Sequence, residues 1–486
     1  MVSQRLLCTE KLYRKALFVP DLIDRDAPEQ YLRGGSHVTQ TRVLPPVSSI
    51  REIDEQVLPI PRVEIELSDI EDDLASASDW GDASRVMALV RLHTYPLGVV
   101  YLDGRLGPSR RLHAAGIWTV LNEAINAHLS ADGLPVASRI DDVVVASTSG
   151  SPRCLQYRDS VLSRGSFISV VVATRDRPDS LAACLKSLLR SSYQHFEIIV
   201  VDNDPTSDDT ELMIRRRFPS VRYVRECRRG LASAHNCGLS LAQGQITAFV
   251  DDDVLVDAQW LVSIAEGFAV TDRVGCVTGL ILPAQLDTPA QLLLEHRGGY
   301  GKGFDLQIFD THDNRPADPL FPFAAGRLGS GANMAFDTRK LRELGGFDAA
   351  LGVGTFARGG DDLIGIFRTI VAGHRVVYQP AAIVWHRHYR DLTALRNMAH
   401  GCGVGMGAFL ASGLVHEPRM LISFVRCLPA CFVHLARQAG TGQRGRPGAW
   451  PAEFVRVERR GLLTGPVAYA VSRWRARRAV ADRGDK

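Results

Sequence analysis

The sequence predicts an α/β fold in its middle, preceded by a smaller α+β region and followed by helices, and three observations carry that reading. From Phe167 onward β-branched runs alternate with amphipathic stretches ("FISVVVATRDRPDSLAACLKSLLRSSYQHFEIIVVDNDP"), the βαβ rhythm of a mostly parallel, Rossmann-like mixed sheet flanked by helices. Three adjacent carboxylates, Asp251, Asp252 and Asp253, close the apolar run "ITAFV". Two such charges about 4 Å apart repel by roughly 4 kcal/mol at an effective dielectric near 20, so a positive partner is expected there. The third observation is composition. At 486 residues the chain exceeds one ordinary core, and 45% hydrophobic with 23% charged residues is globular rather than disordered or membrane-spanning.

Taken in order, residues 1–164 read as an accessory α+β domain. Turn-rich and acidic stretches surround strand-like "VMALVRL" and "LGVVYLDG", and "RRLHAAGIWTVLNEAINAHL" has helical spacing. The opening "MVSQRLLCTEKLYRKALF" lacks a continuous apolar core, which argues against a secretory signal. Nine scattered cysteines with no C-x-x-C pair point to reduced thiols in a cytoplasm and imply no zinc site.

Residues 165–391 carry the sheet. After the first two strands come "VRYVRE", a helix over "LASAHNCGLSLA", the strand "ITAFV" and a helix at "DAQWLVSIAEGFAV". Ligands on such sheets bind beyond the C-terminal strand ends, where Asp202 and the acid cluster fall. By the two-residue period Asp251 and Asp253 share a side and Asp252 faces away. That spacing suits Mg2+ or Mn2+, held by one or two carboxylates with water and substrate phosphates completing the shell. Solvated acids, or caps for the helix that follows, are the plain alternative.

Residues 392–486 read as a helical extension with a basic tail. "RMLISFVRCLPACFVHLARQ" is interrupted by Arg426, Pro429 and His434 and falls short of the roughly 20 apolar residues of a spanning helix. Two readings stand: a helix packed on the catalytic domain, or a peripheral contact with the inner face of a membrane, to which the arginines around Trp474 would contribute. Net charge is +3 without a basic stripe, so nucleic acid is not an expected partner.

The ordered series "VVATRDRPDSL", "IIVVDNDPTSDDT", "RRGLASAHNCGL", "GSGANMAF", "LGGFD", "RGGDDL" and "VWHRH" resembles family 2 glycosyltransferases of the GT-A fold, over about Phe167 to Asp391. The resemblance implies a nucleotide-diphosphate sugar as donor and a glycan, lipid-linked or small-molecule acceptor, joined with inversion at the anomeric carbon. It places Asp202 at the base or ribose, with Thr174, Arg177, Arg229 and Asp252 around the nucleotide and Gly331 and Asn333 beneath the transferred sugar. It makes Asp251, Asp253 and His386 ligands of Mn2+ or Mg2+, and Asp362, beside Asp361, the base. Two positions depart from the family pattern: His235 stands where arginine is usual, and Asp361 where glutamate is common. A silent nucleotide-sugar binder or scaffold, and a nucleotidyltransferase, are the rival readings. The first leaves a base at Asp362 without purpose, and the second leaves "RGGDDL" and "VWHRH" unexplained.

Overall fold

The run "RVMALVRL" is apolar at every second position on both faces, which demands a covering layer on each side. In the computed structural model, which describes residues 47–70, 83–104, 110–440 and 450–484, that run is strand β3 (Arg85–Leu92), buried throughout. It lies in a four-stranded sheet with β1 (Val47–Ser48), β2 (Arg62–Glu66) and β4 (Tyr95–Asp103), in the order β1-β4-β3-β2. Ala88, Val90 and Leu92 pack on the helices Arg110–Asp132 and Ile140–Thr148, with Ile117, Leu121, Ile125 and Val143. The alternate residues Met87 and Leu89 pack on Leu280, Leu282, Tyr378 and Trp385 of the following domain. The small sheet is thus a middle layer. The opening segment through Pro46, with Cys8, and the acidic stretch "EDDLASASDWGD" lie outside the described residues.

The second sheet has nine strands: β5 (Ile168–Thr174), β6 (Phe196–Asn203), β7 (Arg222–Glu226), β8 (Ile246–Asp251), β9 (Val254–Val256), β10 (Val274–Pro283), β11 (Gln307–Phe309), β12 (Asn333–Asp337) and β13 (Arg375–His386). Their order is β11-β13-β10-β12-β8-β5-β6-β7, with β9 paired to β13. The ladders joining β8, β5, β6 and β7 are parallel, as is β10 with β13. Strand β12 is antiparallel to both β8 and β10, so the sheet is mixed. Strand β5, "ISVVVAT", is wholly buried: Val170 and Val172 face one core, Val171 and Ala173 the other. In-register pairing brings Thr174 level with Asp202 and Ala173 level with Asp251, gathering polar residues at one edge of an apolar slab.

C-terminal to the sheet, the helices Leu392–His416 and Ala452–Gly484 pack closely through small residues. A Cβ at Gly407 would stand 2.2 Å from the Leu462 carbonyl oxygen, a separation no side chain tolerates. Leu392–His416 is long and apolar enough to cross a membrane by composition alone; half of its apolar window is buried inside the protein. Asp348 ties both helices to the catalytic domain, accepting from Ser412 Oγ at 2.7 Å and Tyr469 OH at 2.9 Å, with His416 Nε2 at 3.0 Å.

Candidate active site

The acids after β8 divide by direction. Asp252 is buried and fully engaged: its Oδ2 accepts from Thr174 Oγ1 at 2.6 Å, its Oδ1 from Arg177 Nη1 at 3.0 Å, and its carbonyl from Ser180 Oγ at 3.0 Å. Asp251 and Asp253 face the other way, where with His386 they offer three ligand atoms all within 4.8 Å of one another. Asp253 Oδ1 is buried without a hydrogen-bond partner and lies 3.6 Å from His386 Nε2. An orphaned buried carboxylate oxygen opposite an imidazole nitrogen is a pair of acceptors that a divalent cation would satisfy. Burial, reinforced by Asp253 and Asp252, pushes the Asp251 carboxyl well above the usual carboxylate range. A divalent ion would reverse that. Two carboxylates and one imidazole suit Mn2+ or Mg2+.

His386 is held by residues that sequence reasoning passed over. Its Nδ1 meets His388 Nδ1 at 3.0 Å, and His388 Nε2 meets Glu295 Oε1 at 2.8 Å. With Glu295 accepting from His388 Nε2–H, His388 Nδ1 is left to accept from His386 Nδ1–H, and His386 Nε2 keeps its lone pair toward the acids. Burial brings the His386 imidazole down to about 4, so it is neutral near pH 7. Tyr300 covers both rings at centroid distances of 5.3 and 5.6 Å. The signal for His388 was present in "VWHRH", where the two histidines are two apart. Glu295, 93 residues away, left none.

At the far side of the cluster the helix Asp361–Val371 begins at Gly360, whose φ of 87° and close approach to Gly405 O exclude a side chain. Asp362 in its first turn accepts from Gly331 N at 2.8 Å and Leu363 N at 2.8 Å. Burial, with Asp361 adding to it, raises the Asp362 carboxyl to about 6. Asp361 points elsewhere: it is buried 3.4 Å from His235 Nδ1, which sits among Phe249 and Phe347. The two departures from the family pattern therefore meet each other, a shorter acid facing a smaller base. Asp361 also adds to the field that raises the Asp251 carboxyl, and its Oδ2 is buried without a hydrogen-bond partner.

Asp202 is completely buried at the end of β6, accepting from Tyr223 OH at 2.9 Å through Oδ2 while Oδ1 has no partner. Burial lifts its carboxyl to about 6. A ring N–H or sugar hydroxyl would satisfy the free oxygen. Arg177 is half exposed and bridges Asp252 and Asp253, and Arg229 is exposed just before the helix Leu231–Leu241. Asn333 differs from expectation: buried at the start of β12, it donates to the Leu280 and Ala382 carbonyls at 3.0 and 2.7 Å and accepts from Trp260 Nε1 at 2.9 Å. Its amide is used up on the scaffold. Of the small-residue loop it is Gly331, through its N–H, that reaches the acid.

The carboxylate cluster after β8 and the backbone-clamped acid on a helix tip stand where ligands of α/β sheets bind. Residues 169–325 match the family model "Glycosyl transferase family 2", so that stretch of the chain resembles a glycosyltransferase domain of that family. Among curated relatives, an Escherichia coli UDP-Glc:alpha-D-GlcNAc-diphosphoundecaprenol beta-1,3-glucosyltransferase is 30% identical over 89 residues, 18% of this chain and 35% of that protein. A Haloferax volcanii glucosyl-dolichyl phosphate glucuronosyltransferase is 22% identical over 237 residues, 46% of this chain and 71% of that one. A Sinorhizobium fredii protein is 36% identical over 116 residues, 23% of this chain, so the match spans only 13 to 35% of the first relatives' own length. A Pyrobaculum calidifontis mannosyltransferase solved with GDP-Man and Mn2+ is similar at TM-score 0.41 and 18% identity, covering 73% of this chain and 99% of that structure.

Proposed function

We propose that the protein is an inverting, metal-dependent glycosyltransferase that moves a sugar from a nucleotide diphosphate to an acceptor hydroxyl. The observation that carries this is Asp362: a carboxyl raised to about 6, fixed by the Gly331 and Leu363 amides, close enough to the opposite acids to raise the Asp251 carboxyl. A group titrating near 6 is ionised at pH 7 and still basic enough to take a proton from an attacking hydroxyl. Asp202 would receive the nucleotide through its free oxygen, and Gly331 lets the donor sugar approach the backbone. Asp251, Asp253 and His386 would hold Mn2+ or Mg2+, which when bound supplies charge neutralisation for the departing diphosphate. Displacement in one step needs no enzyme nucleophile.

The acceptor we propose is polyprenyl-linked, reached from the cytoplasmic face of a membrane. Two relatives have names specifying diphosphoundecaprenol and dolichyl phosphate substrates. Leu421, Ile422 and Val425 expose apolar side chains at the start of the helix Leu421–Gly440. Exposed apolar residues on a helix suit a lipid interface.

One assay tests both parts: release of nucleoside diphosphate from candidate sugar donors, with Mn2+, against a polyprenyl-linked acceptor in vesicles or a soluble glycan. Asp362→Asn should lose roughly 10²- to 10⁴-fold in turnover with donor affinity retained. Because the base works deprotonated, wild-type kcat should rise with pH through about 6 and then level off. Pyrophosphate as product, or an unimpaired Asp362→Asn, would refute the transferase reading; preference for the soluble glycan would refute only the lipid-linked acceptor.

A further inference from the structure

Outside the candidate sugar-transfer site, a second group of ligand-type side chains converges in the N-terminal α+β region. His93 is the first residue of the tight turn joining β3 to β4, where His93 and Thr94 both take left-handed φ values of 54° and 70°. His128 and Asp132 stand four apart on the last turns of the helix Arg110–Asp132, which ends at Gly133 with φ of 75°. Cys154 lies in the first turn of the helix Arg153–Leu162.

All six separations among the four ligand atoms are short. His93 Nδ1 is 3.2 Å from His128 Nε2, 2.8 Å from Asp132 Oδ2 and 3.8 Å from Cys154 Sγ. His128 Nε2 is 3.3 Å from Asp132 Oδ2 and 3.9 Å from Cys154 Sγ, and Cys154 Sγ is 2.9 Å from Asp132 Oδ2. A tetrahedral Zn2+ with nitrogen and oxygen at about 2.1 Å and sulfur at about 2.3 Å implies edges of roughly 3.4 to 3.6 Å. The four edges that reach a histidine without Asp132, or run from His128 to Asp132, scatter around that range; the two shortest both end on Asp132 Oδ2.

Protons alone serve this arrangement poorly. Asp132 Oδ1 already accepts from the backbone N–H of Cys154 at 2.9 Å. Two imidazoles and a thiol then converge on the single remaining oxygen, Oδ2, which has two lone pairs. Oδ2 can accept from two of the three, and the remaining contact falls to the two ring nitrogens, 3.2 Å apart, one of which must then give up its proton. One cation replaces three competing protons, binding both imidazoles through lone pairs and the sulfur as thiolate.

We propose that His93, His128, Asp132 and Cys154 form a structural zinc site. The mixture of one thiolate, two imidazoles and one carboxylate selects Zn2+ over Mg2+ or Mn2+. His93 and Asp132 are buried, and with four protein ligands no position is left for substrate. The Asp132 Oδ1 contact to Cys154 N–H orients the carboxylate in the way that partners behind a metal ligand do. The ion would staple a hairpin turn and two helices beside the seam with the catalytic domain, where Arg158 donates to Thr94 Oγ1 at 2.5 Å and to Glu266 Oε1 at 2.9 Å.

The test is metal analysis of the full chain purified without chelator, followed by exchange with Co2+. The wild type should retain one zinc per chain through dialysis. Its cobalt form should show tetrahedral visible bands together with a thiolate charge-transfer band in the near ultraviolet. Cys154→Ser should lose the charge-transfer band, and His128→Ala should retain at least tenfold less zinc. Asp253→Asn should keep the full zinc content, which separates this site from the sugar-transfer one. If the variants do not fold, the wild-type cobalt spectrum still decides. Zinc absent from wild type after incubation with Zn2+, a cobalt form without thiolate charge transfer, or an unchanged band in Cys154→Ser would overturn the assignment.

Discussion

Among the described residues two clusters of ligand-type side chains stand out, and they differ in closure. At the end of β8, Asp251, Asp253 and His386 supply three groups and leave the rest of a coordination sphere open. Beneath the β3–β4 turn, His93, His128, Asp132 and Cys154 supply four, one of them sulfur, and close the sphere. Hard oxygen donors with open positions suit a cation that shares phosphates with a substrate; a closed set with thiolate suits one that holds structure. The contrast extends to their supports. The open cluster hangs on a chain of polar contacts, Glu295 to His388 to His386, while the closed one ties three segments of backbone together.

The largest break in this comparison should come from Asp253→Asn. Its Oδ1 is the orphaned oxygen of the open set, and Arg177 leans on its Oδ2 at 3.3 Å. Removing the charge should lower turnover roughly 10²- to 10⁴-fold, a loss like that of a central catalytic group. The thermal midpoint should hold or rise, because one of three repelling acids is gone. A fall in midpoint together with retained turnover would make the open cluster a structural site and erase the distinction.

Next in size is Arg158→Met. Arg158 is buried at the seam between the two regions, paired with a fully buried Glu266 that also accepts from Tyr95 OH at 2.7 Å. Breaking a buried pair from one side typically costs about 3 to 5 kcal/mol, since the remaining charge is stranded. Unfolding should shift to lower denaturant, whereas kcat at saturating donor and Mn2+ should change less than about twofold, within the scatter expected of a site not touching substrate. A turnover loss matching that of Asp253→Asn would mean that the seam, and with it the closed cluster, takes part in catalysis.

What the sequence made legible follows from periodicity and adjacency. The alternating strands and helices from Phe167 were readable because β5, β6 and β8 are continuous buried runs. The acids after β8 were readable because three charges follow one another directly. The division of labour among them was only half legible: a two-residue period separates Asp252 from its neighbours, but nothing local says that Thr174 and Arg177 will occupy it. Asn333 read as a ligand group because its loop is rich in small residues, yet its amide meets carbonyls 49 and 53 residues away. The closed cluster was invisible to a search for paired cysteines. Its only local trace is the histidine and aspartate four apart on one helix, and its other members stand 35 and 26 residues from His128.

The smallest effect sharpens the comparison at its finest point, the polar chain behind His386. Glu295 never touches the cation set; its contribution is to fix the tautomer and ring angle of His386 through His388. Partners of this kind typically change metal affinity or activity 10- to 100-fold, which is about 1.4 to 2.7 kcal/mol. Glu295→Ala should therefore raise the Mn2+ concentration for half-maximal activity by that factor while kcat at saturating Mn2+ stays near wild type. Glu295→Gln, whose amide oxygen still accepts from His388 Nε2–H, should recover most of the affinity. Zinc content should not move in either variant, since the closed cluster has its own backing in the Cys154 amide. Unchanged Mn2+ dependence in Glu295→Ala would mean that packing against Tyr300, rather than the hydrogen-bonded chain, holds the His386 ring in place.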